Sequence, residues 1–229
     1  NYRGWLSKFD VAETDRSTWL RYAEPKNFLT VVAKDYTLKA DGAQVLFQQG
    51  ARLQLADKKA SAYTVKVPVR TKEGKLQEEK VVLAANASLH EGYLPYTTNN
   101  IIRSAFKFYD SVYGWGGLQQ SVDCSSFISN AYRTVGIFLP RNADEQETSA
   151  GIHKKMGNMN SAQRANVIKG LTPGSTLHMD GHVMLYLGSS NEIPYAIHSL
   201  GSHYTGGTRH SVMKVVVSDL NLQKSNGNT

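Results

Sequence analysis

Between residues 28 and 83 the apolar residues come in short runs broken by turn dipeptides. Phe28-Leu29-Thr30-Val31-Val32, Ala43-Gln44-Val45-Leu46-Phe47, Arg52-Leu53-Gln54-Leu55, Tyr63-Thr64-Val65-Lys66-Val67-Pro68-Val69 and Lys80-Val81-Val82-Leu83 are either apolar throughout or alternate with polar residues. Asp41-Gly42, Gln49-Gly50 and Glu73-Gly74 punctuate them, as tight turns and hairpins require. Five short strands at close spacing predict a small closed β-barrel. Residues 1–26 show neither period, yet Trp5, Phe9, Trp19 and Tyr22 make them too apolar for a free tail, so they are expected to pack on something. After Tyr93-Leu94-Pro95-Tyr96 the pattern changes. Ile101, Ile102, Ala105, Phe106, Tyr109 and Val112 recur at helical spacing behind a cap at Thr98 or Asn99, and Tyr113-Gly114-Trp115-Gly116-Gly117 stops that helix. A second helix is expected from about Cys124, with Phe127, Ile128, Ala131, Tyr132 and Val135 inward and Gly136 past its end. A polar, loop-rich stretch leads to strands at His182–Leu187, Tyr195–Ser199 and Ser211–Val217. Helix, helix, then antiparallel sheet is an α+β arrangement.

Composition changes this picture little. The 229 residues, 41% hydrophobic and 20% charged, suit one large soluble domain or two small ones. No apolar run reaches the roughly 18–20 residues of a membrane-spanning helix. Asn1 to Asp10 show no secretory leader and no initiator Met, so the chain reads as the mature or trimmed product of something longer. A net charge of +7 favours an anionic partner. The basic residues are dispersed, with Lys58-Lys59 and Lys154-Lys155 among the densest pairs, and none is interleaved with aromatics as a nucleic-acid platform would be.

The single cysteine excludes an internal disulfide and leaves either an inert thiol or a nucleophile. Cys124 falls at a predicted helix start, where unpaired N–H groups and the helix dipole stabilise a thiolate and could also hold an oxyanion. Asp123 beside it would raise the thiol pKa if it pointed inward, so it makes more sense as a ligand for a positive group on a substrate; the alternative is a plain helix cap. Among seven histidines, His182 opens a strand after Asp180-Gly181 and His198 lies near the end of the next. As cross-strand neighbours they would make a base and the residue that orients it. A metal site built from His178, His182 and His198 is the competing reading, with no HExxH-like helical spacing to support it.

Asp123-Cys124-Ser125-Ser126-Phe127, preceded by Tyr113-Gly114-Trp115-Gly116-Gly117 and followed by Gly136-Ile137-Phe138-Leu139-Pro140-Arg141, resembles the NlpC family of cell-wall cysteine peptidases. Gln146, the turn Leu171-Thr172-Pro173-Gly174 and Gly181-His182-Val183-Met184-Leu185-Tyr186-Leu187-Gly188 continue the match in order, over about residues 97–200. Residues up to Thr97 further resemble members that carry SH3-type barrels before the catalytic domain, with Trp5 to Trp19 similar to the tail of a first such barrel. The resemblance implies a papain-like catalytic domain over 95–229, an SH3-type barrel over 27–94 and the remnant of a preceding domain over 1–26. It implies hydrolysis of the γ-D-glutamyl to diamino-acid bond in peptidoglycan stem peptides, with no cofactor and no metal, in the cell envelope (periplasm) or outside the cell. Cys124 matches the nucleophile, His182 the base and His198 the orienting residue. Asp123 and Ser125 match positions that hold the free amine of the first L-alanine, and Tyr113 an aromatic hydroxyl near the oxyanion site. A silent wall-binding module, or another thiol amidase or acyltransferase, are the alternatives. Two departures stand out: Ser126 occupies a place where glycine is commonest, and the spacing from His182 to His198 is long, so Asn191 to Tyr195 is expected to form a widened hairpin loop. A one-residue register shift there would turn His198 away and leave His203 in reserve.

Overall fold

The computed structural model describes residues 4–149 and 151–223; the ends of the expected 1–26 and 95–229 segments lie outside them. The chain divides into two compact units, residues 1–94 and 95–229. In the first, a helix α1 (Arg16–Ala23), capped by the Asp15 carboxylate on the Thr18 N–H, precedes strands β1 (Phe28–Val31), β2 (Asp35–Ala40), β3 (Ala43–Gln48), β4 (Arg52–Lys59), β5 (Ala62–Arg70), β6 (Leu76–Ala84) and β7 (Leu89–Glu91). All five expected strands are present. β2 and β7 were hidden because neither carries a run of apolar residues. The turn between β2 and β3 is the expected Asp41-Gly42, with both residues at positive φ (48° and 74°), the geometry of a two-residue hairpin.

Pairing departs from a closed barrel. The strands form an open five-stranded sheet in the order β6-β5-β4-β1-β7 and a separate β2-β3 hairpin, and the described pairings do not close a ring. Leu29, Val31, Leu38, Leu53, Val65, Val67 and Leu83 nonetheless share one buried core. Trp5, Phe9 and Trp19 are 102%, 70% and 57% exposed, so among the described residues the expected packing of these aromatics is largely not made, although the Arg70 guanidinium lies over the Phe9 ring at 5.7 Å. Tyr22 is the exception, with its hydroxyl 3.0 Å from Glu78.

The second unit is α+β, as its pattern predicts. α2 (Thr98–Phe106) is followed by a 3₁₀ turn (Trp115–Gln120), α3 (Cys124–Arg133), α4 (Ala143–Ser149), α5 (Ser161–Lys169), β8 (Thr176–Met179), β9 (His182–Ser190), β10 (Ile193–Thr205) and β11 (Thr208–Asp219). The cap of α2 is Thr97, whose hydroxyl accepts from the Asn100 N–H, and the helix ends at Phe106 although the apolar period runs on to Val112. The stretch read as loop holds α4 and α5. α5 has almost no apolar stripe, but its capping box, Asn160 with Gln163, is a sequence signal that could have revealed it. The sheet is antiparallel throughout, β11-β10-β9-β8. α3 lays Phe127, Ile128 and Ala131 into the interior against β9 and β10, where Val183, Leu185 and Ile197 are buried, which fixes the helix start against the middle of the sheet. No helix among the described residues is long and apolar enough to cross a membrane.

Candidate active site

The start of α3 is held by a reciprocal cap. The Asp123 carboxylate accepts from the Ser126 N–H at 2.8 Å, and the Ser126 hydroxyl accepts from the Asp123 N–H at 2.9 Å. Ser126, the residue in place of a commoner glycine, completes the capping box. Upstream, Tyr113 and Val122 are bridged and the Gly114 N–H reaches the Val122 carbonyl at 3.2 Å, closing a loop that lays Tyr113 beside Cys124 and Asp123. Trp115 in that loop is exposed. The Ser199 hydroxyl donates to the Val122 carbonyl at 2.7 Å, tying β10 to the residue two before Cys124.

Cys124 is buried, and burial pushes its thiol up from the ordinary value; backbone N–H groups of Val183, Ser125 and Cys124 itself act the other way, and Asp123 adds to the rise. The resting group is a thiol, and the Val183 N–H sets it against the first residues of β9. His182 is the residue before Val183. Its Nε2 lies 2.8 Å from Nδ1 of His198, with the rings edge-to-face. His198 is 1% exposed, and burial, then the neighbouring His182, bring its pKa down to about 3, so it is neutral.

The two histidines meet because of one irregularity. The β9–β10 connection is not a widened loop but a two-residue turn, Asn191-Glu192, with φ of 49° and 65° between the paired Ser190 and Ile193. Tyr195 opposes Gly188 but Ala196 opposes Tyr186, so Leu187 is a bulge, next to Gly188 at φ 113°. Without the extra residue the ladder would put His182 on the face opposite His198. With it, both stand on one face as diagonal neighbours. The register shift does occur, and its effect is to join the pair rather than to part it.

The other histidines do not join them. His178 pairs with Val183 across the β8–β9 ladder, so it points to the opposite face from His182, and the three-histidine metal reading is not assembled. His203 stacks on His210 further along β10–β11, with ring centroids 5.2 Å apart. Among the described residues no three His, Cys, Asp or Glu side chains gather as metal ligands.

Asp123 and Ser125 have partners that sequence reasoning missed. Arg141 Nη2 lies 2.5 Å from Asp123 Oδ2, and Arg141 Nη1 lies 3.3 Å from Oδ1 and 3.0 Å from the Ser125 hydroxyl, which itself donates to Asp123. Burial opposes charge on Asp123, but Arg141 and the Ser126 bonds outweigh it and hold the carboxyl below the usual range. Gln146, on α4, donates to the Ser125 carbonyl at 3.0 Å and to Pro140 at 2.8 Å, anchoring the segment that carries Arg141. Tyr113 is pushed up by burial and by the nearby Cys124 and Asp123, so its hydroxyl keeps its proton. The site thus offers a thiol at a helix start, a histidine pair, a protonated phenol and several N–H groups, which together can form and stabilise an acyl–sulfur adduct.

Residues 110–215 match the model of the NlpC/P60 family. The fold is similar to a solved NlpC/P60 endopeptidase from Photobacterium damselae subsp. piscicida, at a TM-score of 0.73 and 20% identity over 95% of this chain and 52% of that one. It is also similar to an NlpC/P60 family protein from Bacillus cereus ATCC 10987, at a TM-score of 0.60 and 18% identity over 91% of this chain and 62% of that one. The chain therefore spans between half and two thirds of the length of these relatives. No curated protein sequence matches it.

Proposed function

From the match of residues 110–215 to the NlpC/P60 family model we propose that the second unit is a papain-like cysteine peptidase that cuts the γ-D-glutamyl to diamino-acid bond of peptidoglycan stem peptides. The observation that carries this reading is the 2.8 Å His182–His198 contact at the start of β9, one residue before the N–H that bears on the Cys124 sulfur. His182, with Nε2 engaged by His198, takes the thiol proton on Nδ1 as the sulfur attacks the γ-carbonyl carbon. The Cys124 N–H and the Tyr113 hydroxyl stabilise the oxyanion. The tetrahedral adduct collapses to a thioester as His182 returns the proton to the leaving amine. Water, deprotonated by His182, then releases the γ-carboxylate and restores the thiol. Burial raises the thiol pKa, so a base is needed to take the proton from Cys124.

Asp123 and Ser125 act here by holding the helix start together with Arg141. A substrate amine at Asp123 would have to crowd or displace a guanidinium already on both carboxylate oxygens, so a preference for free N-terminal L-Ala is the part of the expected specificity that this geometry supports least. The first unit is proposed as an accessory module related to SH3-type barrels, and the protein is assigned to the cell envelope or the exterior, where the substrate is. The net charge of +7 suits an acidic wall polymer.

The test is a digest of defined muropeptides followed by mass spectrometry, with iodoacetamide and EDTA arms. Cleavage at the γ-D-glutamyl bond, lost on alkylation and resistant to EDTA, is expected. Loss with EDTA and recovery with zinc would overturn the thiol mechanism. Wall binding without cleavage of any muropeptide would make the unit a silent binding module.

A further inference from the structure

β11 brings a hydroxyl to the buried end of the histidine pair. Ser218 is paired with Ala196, and His198 with Val216, so Ser218 and His198 are diagonal neighbours on one face of the β10–β11 ladder. Ser218 Oγ lies 3.0 Å from His198 Nε2 and 2.8 Å from the Asp219 carbonyl oxygen. A carbonyl oxygen can only accept, so the single hydroxyl proton goes to Asp219 and the oxygen presents a lone pair to His198. Nε2 of His198 must then carry the ring proton. His198 is neutral, so its Nδ1 is bare and accepts from His182. His182 accordingly bears its proton on Nε2, and in the neutral ring the lone pair is on Nδ1.

We propose that Ser218 is a positioning residue that sets the tautomers of both histidines and thereby keeps Nδ1 of His182 basic. The direction of the whole chain depends on where one hydroxyl proton goes. Were Ser218 to donate to His198 instead, every proton in the relay would move by one nitrogen, and His182 would carry hydrogen on Nδ1 and have nothing with which to accept the thiol proton. The consequence for turnover rests on the peptidase reading above; the proton arrangement does not.

The experiment compares the full chain with Ser218→Ala and Ser218→Thr, by long-range proton–nitrogen NMR of the imidazoles and by steady-state kinetics on a muropeptide that the wild type cleaves. Expected are Nε2–H tautomers for both histidines in the wild type and in Ser218→Thr. Ser218→Ala should show Nδ1–H at His182, with kcat down about tenfold, the effect of losing one hydrogen bond's bias on the tautomer ratio, and KM within about twofold. Nδ1–H at either histidine in the wild type would overturn the proposal, as would tautomers unchanged in Ser218→Ala. Equal loss of kcat in the Ala and Thr variants would overturn it too, because packing rather than the hydroxyl would then be responsible. A wild type that cleaves no muropeptide sinks the peptidase reading alone, since the tautomers are read without substrate.

Discussion

The two units place their polar groups differently. In the first, Thr30 and Gln49 are the buried polar side chains among the described residues, and the remainder of the interior is Leu, Val and Ala. In the second, Ser104, Ser111, Ser121, Asp123, Ser125, Ser129, Asn130, Thr134, Gln146, His198 and Ser199 are all buried, and seven of them lie within six residues of Cys124 or are His198 and its neighbour Ser199. Burying a polar group is costly unless it finds a partner, so such a concentration calls for a reason beyond packing. Here the partners are one another: Asp123 with Arg141 and Ser126, Gln146 with the Ser125 carbonyl, Ser199 with Val122, His198 with His182 and Ser218. One interior is built for cohesion, the other to hold a few atoms in place.

The sharpest way to break that contrast is a pair of truncations. Cys124→Ala removes one sulfur at a helix start and should abolish muropeptide cleavage with little change in the melting temperature. Leu29→Ala in the first unit should do the opposite, lowering stability by about 2–5 kcal/mol while the protein that remains folded still alkylates at Cys124. Cleavage surviving in Cys124→Ala at the wild-type rate would end the cysteine-peptidase reading.

A second effect concerns acid. His198 is neutral in the folded state with a pKa near 3, against an ordinary value of 6.5, so the unfolded chain binds more protons between those values. Its contribution is present above the unfolded pKa and is lost as pH falls towards the folded one. Between about pH 7 and pH 5 this single group should lower stability by roughly 2 kcal/mol. The comparison to make is urea unfolding at both pH values for the wild type and His198→Asn. A slope equal in the two proteins would mean that His198 is not held neutral.

The smallest expected effect tests how fully Arg141 occupies Asp123. A muropeptide with a free N-terminus and its acetylated counterpart should be cleaved at rates within about threefold. An ammonium on an available carboxylate would instead give a preference of roughly 10- to 150-fold. A preference in that range, lost in Asp123→Asn, would return Asp123 to amine recognition.

Much of this was legible locally. Five of the seven strands of the first unit, α2 and α3, the Asp41-Gly42 turn and the position of Cys124 at a helix start all follow from spacing within a dozen residues, because backbone period and capping are short-range effects. α5 was missed although its capping box was in view, since a helix with no apolar stripe gives no periodic signal. The closed barrel was over-read: the number of strands limits the possible sheets but does not say which edges pair.

The sequence by itself determined the kind of chemistry on offer, a lone cysteine with histidines at strand positions, because the residue types and their local frames are written in order along the chain. Tertiary structure alone decided how those residues face one another. His182 and His198 share a face only because Leu187 bulges out of β9, and nothing in the alternation of either strand reveals which residue will be left unpaired. Arg141 reaches Asp123 from 18 positions away, and Ser218 reaches His198 from 20. A charge looks for its partner in space, and the register of a ladder is set by the packing of the whole sheet, so these contacts exist only once the sheet has closed against α3.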